Sequence, residues 1–425
     1  MAEERDLGEL ISDFCTSFRI CYCRSEDRAY QYDGGVFKPL LQSDINRLID
    51  IFIAENELEW DPKFFDNTSK HIQTKATCIE KMGAPKGYVI LQNGVFKVGN
   101  MSLVPHSAKF HAISALPFDY DPDAECPVFD DFIADIANGN VAMEDSLIEL
   151  LGYAAAGYQK AGKLFLFCGQ GANGKSVFID LMGLLVGKEL SRTLSVAELN
   201  GDKAFDRAGL QNARLVKIHE LGKKTTFEDI FDANIKKAVT GEEIDSEMKF
   251  RQKMYFKPSF NIVIASNYFP QMGTMPSESV LRRLFVLNFT GTFTGDRCDP
   301  DILKKMSREL PGIFNRAMEG LERLKKKKFV FSAQAESDRF MKRQVNENFP
   351  LYGFVREKIK AQVGSKELYK ELNDAYRQWA GDNGLWIDEG DISVKLRNTL
   401  KACHIPIESF KSNGDRGLVG IKIIE

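Results

Sequence analysis

The 425-residue chain contains no apolar run that approaches the roughly 20 residues of a membrane-spanning helix. Its first ten residues, MAEERDLGEL, are acidic and include no apolar signal region, so we do not expect secretion. We find no internal repeat and no low-complexity tract. These absences, with ordinary hydrophobic (44%) and charged (28%) fractions, predict a soluble, intracellular, globular chain.

The sequence also lacks the cysteine and histidine spacing of a zinc site. Its eight cysteines are scattered, only Cys21 and Cys23 lie close together, and the five histidines are spread along the chain. We therefore expect reduced thiols with mostly structural roles.

An excess of charge of one sign is missing as well. The formal net charge is −3 and the pI is about 6.1, which gives no global signature of nucleic-acid binding. A ring or groove can still concentrate basic residues on one surface, so the local distribution matters more than the total. Because 425 residues is too long for one compact core, we expect two or three domains.

Residues 169–176, Gly-Gln-Gly-Ala-Asn-Gly-Lys-Ser, match a complete phosphate-binding loop. The apolar run Leu164 to Cys168 precedes it and a helical pattern, Val177 to Val186, follows it. In such a loop the glycines turn backbone N–H groups towards the phosphates, Lys175 reaches the β and γ oxygens, and the Ser176 hydroxyl ligates Mg²⁺. The pattern predicts an ATP or GTP site formed by Gly169, Gly171, Ala172, Asn173, Gly174, Lys175, Ser176 and Val177.

Three further apolar, strand-like runs follow the loop, at Arg214 to Glu220, Asn261 to Ser266 and Leu284 to Phe289. Strands that alternate with helices around a phosphate loop predict an α/β ATPase core with three layers and a mainly parallel sheet. We place this core at residues 161–330. The lysine-rich stretch 323–328 near its end is interpreted as a solvated helix end.

Two segments precede the core. Residues 1–115 mix helical patterns, such as Asp44 to Glu55, with short aromatic strands, such as Gly35 to Pro39, and predict an α+β domain. Residues 116–160 form a proline-bracketed connector and a helical collar, with one helical stretch from about Val128 to Gln159.

Residues 331–425 follow the core and predict a winged-helix-like, DNA-binding domain. The elements behind this prediction are helices near Lys366 to Ala380 and Ile392 to Cys403 and a hairpin of Ile407 to Lys411 and Gly417 to Ile424. Basic residues that suit phosphate contacts are Lys395, Arg397 and Lys401 on the second helix, with Lys411 and Arg416 at the wing. Ordinary surface charge explains them equally well.

Polar residues that follow the apolar strands suit a nucleotide hydrolase. Glu220 is predicted to act on the attacking water and, with Ser176, to hold Mg²⁺. His219 stands where many ATPases carry a first aspartate. Asn267, after the next strand, is predicted to lie between the phosphate loop and Glu220 as a sensor, although it also suits a simple turn.

Arg282 and Arg283 precede the last strand-like run. An arginine supplied by a neighbouring subunit stabilises charge on the transferring phosphoryl group. We predict that one of the pair is such a finger and that the other forms a structural ion pair. Lys175, Glu220 and Asn267 complete the predicted catalytic set.

Together these residues resemble a superfamily 3 helicase, and more narrowly the helicase part of phage, plasmid and poxvirus-type primase-helicases. The resemblance rests on Asn173 before Gly174-Lys175-Ser176, Glu220, the segment Thr240 to Ile244, Ser266-Asn267 and Arg282-Arg283-Leu284. It extends upstream to Leu91 to Val95 and Asp119 to Ala124, and downstream to the winged-helix-like end.

The resemblance implies an AAA+-like core in an ATP-driven replicative DNA helicase, a hexameric ring with single-stranded DNA in its channel. In such rings a hairpin between the catalytic and sensor strands carries basic and aromatic residues into the channel. Here residues 248–253 occupy that interval, and DNA contact is assigned to Lys249, Phe250, Arg251 and Lys253. An ordinary amphipathic edge hairpin is the alternative.

The resemblance further implies ATP and Mg²⁺ as cofactors, forked or single-stranded DNA and a primase or polymerase as partners, and no membrane. The expected location is the cytoplasm, that of the host cell if a phage or plasmid encodes the chain.

Other functions stay open at this point. An origin-binding or loading protein that uses ATP as a switch without processive unwinding fits the winged-helix-like end, and RNA unwinding shares the ATPase motifs. The chain also fits as the helicase half of a primase-helicase. The series Asp119, Asp121 and Asp123 would suit metal ions for nucleotidyl transfer, but Pro122 and the loop context favour a connector.

Overall fold

The computed structural model describes residues 6–201, 207, 209–222, 225–247, 254–293, 298–386, 390, 392–412 and 414–424. The chain forms two compact units. The first contains Met1–Leu221, Ala233–Tyr268 and Asn288–Ser332, and the second contains Gly222–Asp232, Phe269–Leu287 and Ala333–Glu425. The four-part division expected from the sequence stays a prediction.

The described helices are α1 (Leu7–Ser17), α2 (Gln42–Glu55), α3 (Pro62–Lys75), α4 (Pro127–Ala137), α5 (Val141–Ala155), α6 (Lys175–Val186), α7 (Val196–Asn200), α8 (Phe227–Ile230), α9 (Ala233–Thr240), α10 (Glu278–Leu281), α11 (Ile302–Met306), α12 (Leu310–Lys326), α13 (Gln334–Asn348), α14 (Pro350–Lys358), α15 (Tyr369–Asp382) and α16 (Ser393–Ala402). Not one of these described helices has the length and apolar character needed to cross a bilayer.

The described strands are β1 (Ile20–Cys23), β2 (Arg28–Asp33), β3 (Val36–Pro39), β4 (Thr77–Ile79), β5 (Tyr88–Leu91), β6 (Gly94–Lys97), β7 (Ser102–Val104), β8 (Leu164–Cys168), β9 (Ser191–Thr193), β10 (Leu215–Ile218), β11 (Ile244–Ser246), β12 (Met254–Phe256), β13 (Asn261–Ser266), β14 (Leu284–Asn288), β15 (Ile359–Leu368), β16 (Glu408–Ser412) and β17 (Asp415–Ile423).

The first unit begins with three helices and a four-stranded sheet. Phe52 of α2 contacts Phe14 of α1 edge-on at 5.6 Å and stacks on Phe64 of α3 at 6.0 Å. The sheet order is β3-β2-β1-β4, and β5, β6 and β7 form a second, antiparallel sheet. The expected helix at Asp44 to Glu55 and strand at Gly35 to Pro39 are confirmed as α2 and β3.

The single helical stretch expected from Val128 to Gln159 is instead two helices, α4 and α5. Asn138 (φ 51°) and Gly139 (φ 78°) adopt left-handed backbone conformations between them, which a right-handed helix cannot continue through. Asn140 then caps α5, since its side chain accepts a hydrogen bond from the Met143 N–H at 3.0 Å. The Asn-Gly-Asn sequence was the available signal for this break.

Helices α5 and α12 touch backbone to backbone. A Cβ on Gly152 would lie 2.0 Å from the Ala317 carbonyl oxygen, so only glycine fits there. Glu149, one turn earlier, is fully buried and accepts hydrogen bonds from Arg323 Nε at 3.0 Å and from the Ser332 N–H at 2.9 Å. This carboxylate joins α5 to the end of α12 and to the segment after it.

Within the first unit, β8, β13, β10 and β9 form a sheet in that order, and each neighbouring pair of strands is parallel. Ile262 lies opposite Leu164, and Leu215 opposite Asn261. Every residue of β8 and β13 is buried, as expected for strands covered on both faces. An α/β fold with a parallel sheet is thereby confirmed.

All eight cysteines are described, and none forms a disulfide. Burial raises the pKa of Cys168, at the end of β8, to about 12, and the nearby Lys175 opposes this shift only in part. The Cys168 thiol therefore stays protonated at neutral pH, consistent with the structural role expected for these cysteines.

The second unit contains a three-stranded antiparallel sheet of order β15-β17-β16. Phe354 of α14, Trp379 of α15 and Leu418 of β17 are buried in its core. The expected hairpin is confirmed as β16 and β17, which turn between Ser412 and Asp415.

Strand β15 was not expected. The sequence indicated a helix from about Lys366, but Ile359–Leu368 is a strand, so α15 begins at Tyr369. Residues 359–361 and 366–368 pair with β17, with a register shift between them. Residues 360–364 are all exposed and show no alternation of burial. Pairing with a strand about 50 residues later in the chain therefore defines β15, and its local sequence does not.

Glu357 connects three neighbours within the second unit. Its carboxylate accepts hydrogen bonds from Trp379 Nε1 at 3.0 Å and Asn346 Nδ2 at 3.1 Å, and it lies 3.0 Å from Lys342 Nζ. Burial raises the pKa of Glu357, but these hydrogen bonds outweigh burial, so the pKa is lower than that of an ordinary glutamate.

Candidate functional site

The loop between β8 and α6 passes through backbone conformations that favour glycine. Gly169 has φ +145° and Gly174 has φ +80°. A Cβ on Gly169 would stand 2.2 Å from the Phe289 carbonyl oxygen, and one on Gly174 would stand 2.4 Å from Ile136 Cγ2. Both positions therefore require glycine for two independent reasons.

Lys175 is only 4% exposed and is turned onto the loop. Its Nζ donates hydrogen bonds to the carbonyl oxygens of Gly169 (2.6 Å) and Gln170 (3.2 Å) and to Asn173 Oδ1 (2.7 Å). These contacts use the three donors of the ammonium group. Burial lowers the pKa of Lys175, because it disfavours the charged ammonium form. An anion beside Nζ would favour that charged form.

Asn173 and Ala172 attach the loop to the chain that follows β14. Asn173 Nδ2 donates to the Phe289 carbonyl at 3.4 Å, and the Phe293 N–H donates to the Ala172 carbonyl at 2.7 Å. Hydrogen bonds from Asn173 and to Ala172 thus hold the loop against this segment. Ser176, in the first turn of α6, is exposed.

Glu220 and Asn267 follow neighbouring parallel strands. Strand β13 lies between β8 and β10, so the 169–176 loop, Asn267 and Glu220 leave the sheet at the same edge with Asn267 in the middle. Tyr268 joins two of these strand ends, because its hydroxyl donates to the Leu221 carbonyl at 3.2 Å. The placement agrees with the sequence expectation, and the catalytic roles stay predictions.

Ser176 and Glu220 present a hydroxyl and a carboxylate, which are ligands that Mg²⁺ accepts. Both side chains are exposed. In the described ranges, no group of three or more His, Cys, Asp or Glu residues has the arrangement of a metal site, and this includes the series Asp119, Asp121 and Asp123. A site with few protein ligands fits Mg²⁺, which keeps waters and substrate phosphate oxygens in its shell.

Asp180 was missed by the sequence reasoning. It lies one turn after Ser176 on α6, and its Oδ1 is 3.1 Å from Lys217 Nζ and 3.4 Å from His219 Nε2. The contact brings a carboxylate of α6 to the residue that directly precedes Glu220. Its spacing of four residues from Ser176 was the one available signal.

A cavity of about 360 Å³ opens beside the loop. Ala172 and Val177 line one side, and Phe132 and Phe293 add apolar surface. The charged lining residues are Asp131, Asp135, Asp299 and Lys305. A mostly apolar cleft with few polar groups is the usual form of a small-molecule site.

Arg282 and Arg283 belong to the second unit. Arg283 Nη1 donates to the Ser279 carbonyl oxygen at 2.6 Å, so its described partner is a backbone group of α10 rather than the carboxylate expected for one of the pair. Arg282 is exposed. Which of the two acts as a finger stays a prediction.

Along the chain, β11 and β12 come between β10, which precedes Glu220, and β13, which precedes Asn267. The two strands form a short antiparallel ladder with Asp245 opposite Tyr255. They bracket the expected DNA-contacting segment. The assigned residues themselves, Lys249, Phe250, Arg251 and Lys253, lie outside the described residues. Arg207, only 1% exposed, pairs at 2.9 Å with Asp245 in the middle of this ladder, and Tyr255, opposite Asp245, is 65% exposed.

The basic residues of α16 do not share one face. Because an α-helix turns about 100° per residue, Arg397 and Lys401 lie on the same side and Lys395 lies elsewhere. Lys395 and Lys401 are exposed, whereas Arg397 is half-buried. One flat surface therefore cannot contact all three.

Two family models match parts of the chain. Residues 9–138 match a family described as D5 N terminal like, and residues 167–283 match a family of unknown function, DUF5906. Each match covers less than a third of the 425 residues.

A putative helicase of Acanthamoeba polyphaga mimivirus, L207/L206, is 22% identical over 171 residues. The alignment covers 40% of this chain and 17% of the viral protein, so the chain corresponds to a small part of that relative's length.

The fold resembles solved structures of the NrS-1 C-terminal region. One apo structure has a TM-score of 0.60 at 14% identity and a second has 0.60 at 13%, and each comparison covers 99% of this chain and 100% of the other. At this identity the likeness establishes a shared fold.

Proposed function

We propose that this chain is the ATP-hydrolysing helicase part of a primase-helicase-type replication protein of superfamily 3, with an AAA+-like core that works as a hexameric ring on single-stranded DNA. One observation carries the proposal: the 169–176 loop, Asn267 and Glu220 meet at one edge of a parallel sheet. The D5 N-terminal-like segment, the helicase-named viral relative and the NrS-1 fold support the same reading.

In this account the 169–176 loop binds the triphosphate of ATP. Lys175 exchanges the carbonyl oxygens of Gly169 and Gln170 for phosphate oxygens, and the start of α6 adds its N-terminal partial positive charge. The cavity beside Ala172 and Val177 takes the nucleobase, because it is apolar enough for a planar ring and adjoins the loop.

Hydrolysis is assigned to the neighbouring strand ends. Ser176 and Glu220 hold Mg²⁺, which neutralises charge on the β and γ phosphate oxygens when bound. Glu220 accepts a hydrogen bond from the attacking water, and Asn267 orients that water from the strand between. Arg282, or Arg283, reaches the γ-phosphate bound to an adjacent subunit.

DNA contact is assigned to two places. The residues between β11 and β12, with Lys249, Phe250, Arg251 and Lys253, line the ring channel. The second unit's C-terminal part acts as a winged-helix-like domain in which α16 and the β16–β17 hairpin approach DNA phosphates.

A loading protein that uses ATP as a switch is the second candidate, and the helices and the β16–β17 hairpin at the winged-helix-like end of the second unit favour it. Glu220→Gln separates the two, because it removes the carboxylate while leaving the loop intact. A motor loses ATP-dependent separation of a forked duplex in this variant and still binds nucleotide. A switch keeps its ATP-dependent DNA binding and shows no strand separation even as wild type.

A further inference from the structure

The segment that follows β10 contains one carboxylate, that of Glu220, where many nucleotide hydrolases have two consecutive acidic residues. The preceding residue is His219, and an imidazole lacks the negative charge of the aspartate that many such enzymes carry at that position. If the site holds Mg²⁺, one hydrogen-bond acceptor for a water in the metal shell has to come from elsewhere.

A carboxylate of α6 lies beside His219. Asp180 Oδ1 lies 3.4 Å from His219 Nε2, and Asp180 follows Ser176 by one helical turn. Residues at this spacing on a helix have Cβ atoms about 5–6 Å apart on the same side. Asp180 therefore stands between the predicted Mg²⁺ ligand of α6 and the end of β10.

We propose that Asp180 and His219 act as one unit that replaces the usual aspartate and holds a water of the Mg²⁺ shell. This inference rests on the proposed nucleotide site. A carboxylate facing Nε2 favours the tautomer with its proton on Nε2, which leaves Nδ1 as a hydrogen-bond acceptor. The pair thereby provides both negative charge and an acceptor beside Glu220. The His219 Nε2–Asp180 Oδ1 separation is 3.4 Å, and catalytic contacts in ligand-free structures are often longer than in the complex.

Lys217 offers the competing explanation. Its Nζ lies 3.1 Å from the same Asp180 oxygen, so Asp180 also joins α6 to β10 as an ordinary ion pair. The Asp180 side chain is 40% exposed, and ion pairs of such exposure contribute little to stability. A purely structural Asp180 would affect folding and leave the metal requirement unchanged.

The test measures Mg²⁺ dependence of nucleotide binding rather than turnover. A fluorescent, non-hydrolysable ATP analogue is titrated onto the full chain at free Mg²⁺ concentrations from micromolar to millimolar, and without Mg²⁺ in EDTA. Asp180→Asn and His219→Gln are each expected to raise the half-saturating Mg²⁺ concentration about 10-fold or more, the usual effect of losing a residue that orients a metal site. Affinity in EDTA should stay that of the wild type.

Two further variants sharpen the result. The double variant Asp180→Asn/His219→Gln should be no worse than either single variant, since the two residues act as one unit. Asp180→Asn/His219→Asp should recover Mg²⁺ dependence close to the wild type, because it restores an aspartate before Glu220. The matched control is Asp130→Asn, whose carboxylate pairs with Arg316 at 3.0 Å and is 45% exposed.

An unchanged Mg²⁺ requirement in Asp180→Asn would overturn the inference. An equally large effect of Lys217→Met would also overturn it, because loss of the Lys217–Asp180 ion pair would then explain the result without His219. Failure of the proposed function looks different: the wild type would bind no nucleotide at any Mg²⁺ concentration, and both ideas would fall together.

Discussion

Replacing Lys175 by methionine tests the nucleotide site with a magnitude that the structure sets. The side chain keeps its volume in a site that is 4% exposed, but it loses three hydrogen bonds to the loop. Each is donated by a charged ammonium group and is worth about 1.5–3 kcal/mol net, and relief of the buried charge, which itself costs several kcal/mol, offsets much of the loss. The ligand-free melting temperature should therefore change by only a few degrees.

The effect on ligand binding should be larger. At a nucleotide concentration of 100 times Kd, the wild type gains about 2.7 kcal/mol of stability. The first unit, which contains the loop, has about 300 residues, so at about 2.1 cal/mol/K of unfolding entropy per residue this stabilisation raises Tm by roughly 4 °C. Lys175→Met should show almost none of this rise in differential scanning fluorimetry with Mg²⁺ and a non-hydrolysable ATP analogue. Lys188→Met, at an exposed lysine just after α6, should respond as the wild type does. A full ligand-induced rise in Lys175→Met would refute the assignment of the loop.

Three other outcomes are expected. Glu149→Ala leaves the buried donors of Arg323 and Ser332 without their acceptor and should lower the unfolding free energy by about 3 kcal/mol. Glu149→Gln should lower it by less. Equal and small losses of the two variants in urea titrations would contradict this expectation. The pKa of Glu357 is lower in the folded state than in the unfolded state, so its carboxylate stabilises the fold above the ordinary glutamate pKa. This stabilisation is lost as pH falls through the folded-state pKa. Glu357→Gln should therefore show a smaller decline in urea midpoint between pH 7 and pH 3 than the wild type. Mixing Arg282→Ala or Arg283→Ala subunits with Lys175→Ala subunits should restore part of the ATPase activity for whichever arginine acts across an interface; no rescue with either would point to a role within one chain.

The sequence was sufficient for the parts of the site that depend on local pattern. The Gly-x-Gly and Gly-Lys-Ser spacing marked the loop, and the apolar runs marked β8 and β13 at their observed bounds. The middle position of Asn267 also followed from the sequence, because parallel strands end at a common edge and the nucleotide hydrolase chemistry requires the sensor beside the loop.

Features that depend on contacts between distant residues were not predictable in this way. The extension of β15 comes from pairing with β17, and local residues 360–364 give no strand pattern. Asp180 looked like any exposed helix charge until the packing of α6 on β10 brought it to His219. The break between α4 and α5 is different, since Asn138-Gly139-Asn140 carried a turn signal that the helical periodicity on either side obscured.

The most direct test of the central claim is ATP hydrolysis measured with and without single-stranded DNA on material whose native mass is determined in the same run. If the chain is a ring helicase, the hydrolysing species has the mass of a ring of several 48.0 kDa subunits, six in the proposed assembly, and single-stranded DNA accelerates hydrolysis. Hydrolysis by a monomer at a rate that DNA leaves unchanged would contradict the proposed function.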